Sequence, residues 1–228
     1  MNVFYSTDIV GDKIKLKGQE AQHCAKVLRK AKGSTVYVVD GIGHQYQCEI
    51  VDVGRQEVDL LILSQKHFQQ DPDIPHLGFG IIKNTTRLEW MLEKITEIGV
   101  GRITPLLCER SERMAIKRTR LEKVLVSAMK QSLNLHLPVL DDPMPIETYI
   151  NEQGRTNLYI ASYGPDVRQL SAVEGRSVSP VILIGPEGDF TNAEVMQAES
   201  AGYQRVNLGQ TRLRAETAAV VGCTLLRN

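Results

Sequence analysis

The 228-residue sequence predicts an α/β protein, in which a C-terminal domain with a largely parallel sheet follows a small β domain. Three observations carry that reading. Short β-like runs broken by turn signals fill residues 1 to about 70. The proline-bearing segment Gln70-Asp71-Pro72-Asp73-Ile74-Pro75 then punctuates the chain. Beyond it, strand-like and helix-like runs alternate, as they do where helices cover a parallel sheet. Proline fixes its own φ and restrains the residue before it. The boundary is therefore set at that segment, giving domains 1–72 and 73–228.

In the first domain, Thr35 to Val39 is a β-branched run closed by the turn dipeptide Asp40-Gly41. Gln45 to Val51 and Val58 to Leu63 are the next strands, and Glu20 to Arg29 is the one helical pattern. In the second domain Leu77 to Ile82 is strand-like. Thr86 and Glu89 have capping-box spacing, after which Leu88, Met91, Leu92, Ile95 and Ile98 recur with helical period. Gly99 stands where a helix-ending glycine is favoured. Arg102 to Leu107 is a strand, and Lys117 to Leu133 a helix with Leu121, Val124, Leu125 and Ala128 on one face. Leu158 to Ala161 and the wholly apolar Val181 to Ile184 are strands, the latter with the composition of a strand covered on both faces. Thr191 and Glu194 offer a second capping box for a helix that stops near Gly202. Arg205 to Leu208 is the last strand, and Arg214 to Leu226 a closing helix rich in small residues.

Composition excludes several classes. At 42% hydrophobic and 24% charged the chain is an ordinary globular one, and no apolar run approaches the roughly 20 residues that span a bilayer. The N-terminus lacks the pattern of a secretion signal. Cys24, Cys48, Cys108 and Cys223 are far apart and show no metal-ligand spacing, so buried reduced thiols in a cytoplasmic protein are expected, with no metal. Net charge is zero, yet residues 12 to 32 hold seven basic against two acidic side chains, while acidic residues dominate from 40 to 73. A locally basic face can hold phosphates, and equally the lysines can simply solvate a surface.

Ligands of open parallel sheets collect outside the carboxyl ends of the strands. Two such ends are unusual here. One is Ile184-Gly185-Pro186-Glu187-Gly188-Asp189-Phe190; the other is Leu208-Gly209-Gln210-Thr211-Arg212-Leu213-Arg214-Ala215-Glu216-Thr217-Ala218. Glycines let backbone groups approach a ligand, and Pro186 stiffens the first turn. Neither the Rossmann glycine order nor a Walker A loop is present.

These two segments, with Glu194, closely resemble the 16S ribosomal RNA (uracil-N3) methyltransferase family of the SPOUT class. His23, Val27-Leu28-Arg29, Lys94 to Val100, Glu109-Arg110-Ser111 and Gln131-Ser132 agree with it. The resemblance implies a PUA-like RNA-binding β-barrel in residues 1–72 and a trefoil-knotted α/β domain in 73–228. It also implies a homodimer, S-adenosylmethionine as cofactor, and ribosomal RNA of the small ribosomal subunit as partner. Asp189 departs from the family, where a second glycine is common, and so does Lys130, where an acidic residue is common.

On this resemblance Ile184, Gly185, Pro186, Glu187, Gly188, Leu208, Gly209 and Leu213 are the cofactor-binding candidates, with Leu208 and Leu213 packing on the adenine. Uracil N3 must lose its proton before it attacks, and a guanidinium facing the ring oxygens favours the anion. Arg214, then Arg212, are the candidates for that work. Glu216 either accepts the proton or orients Arg214. Lys26, Arg29, Lys30, Arg110 and Arg113 are the candidate phosphate contacts, and His23 is a structural residue or an RNA hydrogen-bonder. The rival readings are a SPOUT enzyme acting on another RNA position such as a ribose 2′-hydroxyl, a non-catalytic RNA-binding ribosome-assembly factor and, more distantly, a nucleotide hydrolase.

Overall fold

The computed structural model describes residues 3–112, 114–152, 154, 157–164, 166–173 and 179–227. Contacts divide the chain into two units. The first is Met1–Gln70 with Met129–Leu137, and the second Asp71–Ala128 with Pro138–Asn228.

The first unit opens with β1 (Val3–Tyr5), β2 (Ile9–Val10) and β3 (Lys13–Lys17), followed by α1 (Gly18–Gln22) and a π-helical turn over His23–Val27. The helix expected over Glu20 to Arg29 is thus one short α turn that widens and ends, with Arg29 in the left-handed region at φ 50°. β4 (Thr35–Val39), β5 (His44–Val53) and β6 (Glu57–His67) complete a sheet of order β1-β4-β5-β6-β3-β2, antiparallel except for the β1–β4 pair. Strand side chains alternate between faces. Tyr46, Cys48 and Ile50 of β5, with Ile14 and Leu16 of β3, therefore meet Phe4, Val36 and Val38 in one buried core. Residues 129–137 join this unit through bonds from Gly43 N–H to the Leu135 carbonyl (3.0 Å) and from Leu137 N–H to the Gly41 carbonyl (2.8 Å). Lys130 pairs with Glu20, whose other oxygen accepts from the Tyr5 N–H.

The second unit contains β7 (His76–Gly80), α2 (Thr85–Ile98), β8 (Arg102–Leu107), α3 (Arg118–Gln131, its last residues grouping with the first unit), β9 (Val139–Leu140), β10 (Met144–Pro145), α4 (Ile146–Asn151), β11 (Leu158–Ala161), β12 (Val181–Ile184), α5 (Asn192–Ser200), β13 (Gln204–Val206) and α6 (Ala215–Arg227). The strands run in the order β10-β8-β7-β12-β11-β13, with β9 against β8, and every pairing is parallel. All four residues of β12 are buried, as its apolar composition predicts. α6 packs on α2 and on the β7–β12 face through Ala219, Gly222, Cys223 and Leu226.

The starts of α5 and α2 differ in how far the expected cap sets them. α5 has the expected capping box, with Thr191 and Glu194 satisfying each other's backbone N–H groups. α2 does not use Thr86 and Glu89. Its N-cap is Asn84, whose side chain accepts from the Arg87 N–H at 3.1 Å, while Glu89 pairs with Arg120. Asparagine is the stronger cap, and the helix starts two residues earlier than a Thr86 cap would set it. At its far end Gly99 adopts φ 97°, the left-handed stop that glycine accommodates.

Candidate active site

A cavity of about 440 Å³ opens at the carboxyl ends of β11, β12 and β13, within the roughly 300–1,000 Å³ range of small-molecule sites. Its wall comes from Ala161 to Tyr163, Ile184 to Glu187 with Asp189, Asn207 and Leu208, and Thr211 to Glu216 with Ala218; α2 adds Arg87.

The loop after β12 is held in place from three sides. Gly80, at the end of β7, lies against Pro186, where any Cβ would come within 2.4 Å of the proline Cδ. The Glu187 carboxylate accepts from the Lys83 N–H at 2.9 Å. Arg110 donates to the carbonyls of Gly188 (3.0 Å) and Phe190 (3.4 Å). Asp189 takes the left-handed conformation at φ 63°, and its own carboxylate accepts from the Phe190 N–H at 2.8 Å. Aspartate is among the few non-glycine residues that tolerate this region, through such local bonds. Glu194 braces the same turn, accepting from the Glu109 and Thr191 N–H groups.

The loop after β13 is anchored by Asn207. Its side chain accepts from the Gly209 N–H and donates to the Gly164 carbonyl, and its backbone bridges Gln169. Tyr163 donates its hydroxyl to the Gln210 carbonyl at 3.4 Å. The segments after β11 and β13 are thus joined, although only the latter is marked by unusual composition.

Of the cofactor candidates, Ile184, Gly185, Pro186, Glu187, Leu208 and Leu213 line the cavity. Gly188 instead faces Arg110, and Gly209 lies off the lining. Arg212, Arg214 and Glu216 all line it. Arg212 and Arg214 are exposed and have no carboxylate partner among the described residues. Glu216 contacts Arg87, not the expected Arg214, among the described residues. It is 7% exposed, and one oxygen lies 3.6 Å from Nε of Arg87. Its other oxygen is buried without a hydrogen-bond partner among the described residues. The first turn of α2 reaches this wall, so a residue far away in sequence takes the position expected for Arg214.

The RNA candidates separate. Lys26 and Arg29 are exposed and Lys30 is half-buried, each without a carboxylate partner among the described residues. Lys15 and Lys17, by contrast, are paired with Glu57, Asp59 and Asp8, which neutralises part of the basic stretch. The His23 ring packs on Phe4 at 5.8 Å, a structural contact. Arg110 is engaged on the loop carbonyls, and Arg113 lies outside the described residues. The four cysteines are free and buried, and burial pushes the thiols of Cys108 and Cys223 up to about 12, which makes them inert. Among the described residues no helix is long and apolar enough to cross a membrane.

A parallel α/β unit whose cavity lies at the carboxyl ends of its strands, with Arg212 and Arg214 in the lining, has the form of an α/β enzyme with a small-molecule site. A family model for an RNA methyltransferase domain matches residues 70–227, and one for an RNA methyltransferase PUA domain matches residues 16–63. The chain belongs to this RNA methyltransferase family. A solved structure from Porphyromonas gingivalis, described as a "probable rRNA-methyltransferase", is 37% identical with a TM-score of 0.89, covering 98% of this chain and 95% of that one. The Ribosomal RNA small subunit methyltransferase E of Neisseria gonorrhoeae, solved bound to S-adenosyl methionine, is 26% identical with a TM-score of 0.88 over 98% and 95% of the two chains. The protein of the same name from Rickettsia conorii is 26% identical over 221 residues, 94% of this chain and 89% of its own. The fold class expected from sequence, a PUA-like domain followed by a SPOUT-type α/β domain, is the one found.

Proposed function

We propose that this chain methylates N3 of a uridine in 16S ribosomal RNA of the small subunit, with S-adenosylmethionine as donor. The observation that carries the reading is the cavity at the ends of β11, β12 and β13, which is lined by the loops after β12 and β13 and by Arg212 and Arg214, neither with a carboxylate partner among the described residues. The relatives named for small-subunit rRNA methylation, one of them holding S-adenosyl methionine, support both the substrate and the donor.

The residues present fit that donor. Ile184, Gly185, Pro186 and Glu187 on one side, and Leu208 and Leu213 on the other, would hold its adenosyl part, the leucines against the purine. When bound, S-adenosylmethionine supplies a methyl group activated by a sulfonium. The protein's part is chiefly to align the uracil with it, which is worth a large share of the barrier. Arg214, with Arg212 beside it in sequence, favours the uracil anion because a nearby positive charge stabilises the deprotonated form. Both guanidiniums are uncommitted, so neither has to break an ion pair to do so.

In the first unit Lys26, Arg29 and Lys30 are phosphate contacts, which position RNA without reading its sequence. Removing each should weaken RNA binding and reduce its salt dependence by about one ion per contact. A homodimer working in the cytoplasm completes the proposal, with the free, buried cysteines in keeping with a reducing compartment.

The test uses labelled S-adenosylmethionine and small ribosomal subunits from cells lacking this protein. Label at N3 of one 16S uridine supports the assignment. Label on a ribose hydroxyl, or none, overturns it.

A further inference from the structure

Arg87 and Glu216 meet on the cavity wall from the first turns of two different helices, α2 and α6. Their contact is a loose one, a single Nε to Oε1 approach of 3.6 Å with none of the two-point geometry of which guanidinium and carboxylate are capable. The second Glu216 oxygen is buried and has no hydrogen-bond partner among the described residues. A buried carboxylate oxygen is expensive to leave unsatisfied, so its natural partner is a donor brought in by a ligand. Arg212 and Arg214 line the same cavity yet leave that oxygen alone.

A lone carboxylate would suit a cation, and a lone guanidinium an anion. The two side by side suit a ligand that carries both charges on neighbouring atoms. The adenosine part of the proposed donor is neutral, and uracil carries at most a negative charge once N3 has lost its proton; the α-amino-acid head of the donor is a zwitterion. The N-terminus of α6, whose first residues Ala215 and Glu216 line the cavity with the preceding Arg214, adds a field that favours a carboxylate. We infer that Arg87 and Glu216 form the receptor for this amino-acid head, Arg87 taking its carboxylate and the free Glu216 oxygen its ammonium. The inference rests on the adenosyl-donor reading above and assigns the part of the cavity which that reading leaves open.

Calorimetry on the full chain tests it with two ligands. S-adenosylhomocysteine has the amino-acid head; 5′-methylthioadenosine has the same adenosyl thioether without it. The wild-type chain should prefer the first by about 10- to 100-fold, the worth of hydrogen bonds to charged groups. Glu216→Gln and Arg87→Met should each lose most of that preference, by weakening S-adenosylhomocysteine about tenfold while leaving 5′-methylthioadenosine within about threefold. Retained 5′-methylthioadenosine binding also shows that the variants fold. If they do not fold, the wild-type chain decides alone: S-adenosylmethionine should bind at least about tenfold tighter than its decarboxylated form.

Equal wild-type affinity for S-adenosylhomocysteine and 5′-methylthioadenosine, or a preference that survives both substitutions, overturns the receptor and leaves the adenosyl site standing. Equal affinity for the donor and its decarboxylated form does the same. Failure of the wild-type chain to bind either thioether overturns both.

Discussion

The Arg110 guanidinium donates to the Gly188 carbonyl at 3.0 Å and so fastens the segment after β8 to the loop after β12. Arg110 was expected from sequence among the phosphate contacts, but in the structure its charge serves the loop. Arg110→Ala should therefore weaken S-adenosylhomocysteine binding about three- to tenfold, as for loss of partly exposed charge-assisted bonds to the loop. The salt dependence of RNA binding should stay as in the wild type. A reduced salt slope with unchanged ligand affinity would return Arg110 to the phosphate contacts.

Asp189 sits in the left-handed region and offsets the strain by accepting from the Phe190 N–H. Asp189→Ala keeps the strain and loses the bond, so it should destabilise the second unit by about 1–2 kcal/mol. Asp189→Gly loses the bond but relieves the strain, and should lie within about 1 kcal/mol of the wild type. Urea denaturation of the three proteins gives the order directly.

Arg214→Ala should lower turnover about 100- to 1,000-fold, the usual loss on removing one group aimed at developing charge. Affinity for S-adenosylhomocysteine should change less than about threefold, since the adenosyl walls are other residues. Single-turnover methylation and calorimetry on the same preparation separate the two effects. Full activity in the variant would remove Arg214 from the mechanism.

Burial holds the His136 imidazole below its ordinary value of 6.5, and the neighbouring His67 adds to the shift, against smaller opposing contributions from Phe68 and Asp40. A histidine kept neutral by the fold binds its proton more readily in the unfolded chain. Its contribution to stability is therefore present above 6.5 and lost as the pH falls from there through the lowered folded value. Between about pH 7.5 and pH 5.5 the wild-type urea midpoint should drop, and in His136→Gln the drop should be smaller. Identical pH profiles would contradict the assignment.

What could be read in the sequence follows physical range. β4, β8, β11 and β12 were legible because β-branched and apolar runs ended at clear turn signals, and α5 because Thr191 and Glu194 carry their own cap. β3 was missed although Lys13-Ile14-Lys15-Leu16-Lys17 alternates strictly, because its lysines were counted as charge rather than read as the exposed face of a strand. The first ligand loop is legible because glycine, proline and acidic residues directly follow the buried β12, and the second through the run from Leu208 to Ala218 that carries the family resemblance. Arg87 was not: it lies in the amphipathic pattern of α2, and only the packing of α2 against α6 carries it to Glu216. For the same reason the sequence pairs Arg214 with Glu216, two residues on, whereas the neighbour of Glu216 is Arg87 of α2. Nor does any local signal show that residues 129–137 pair with Gly41 and Gly43, since those bonds are made by backbone groups that every residue has.

The most direct measurement is a crystal structure of the chain with S-adenosylhomocysteine. The purine should lie between Ile184–Glu187 and the leucines Leu208 and Leu213. Ligand density elsewhere on the molecule, with that cavity empty at saturating concentration, would contradict the account.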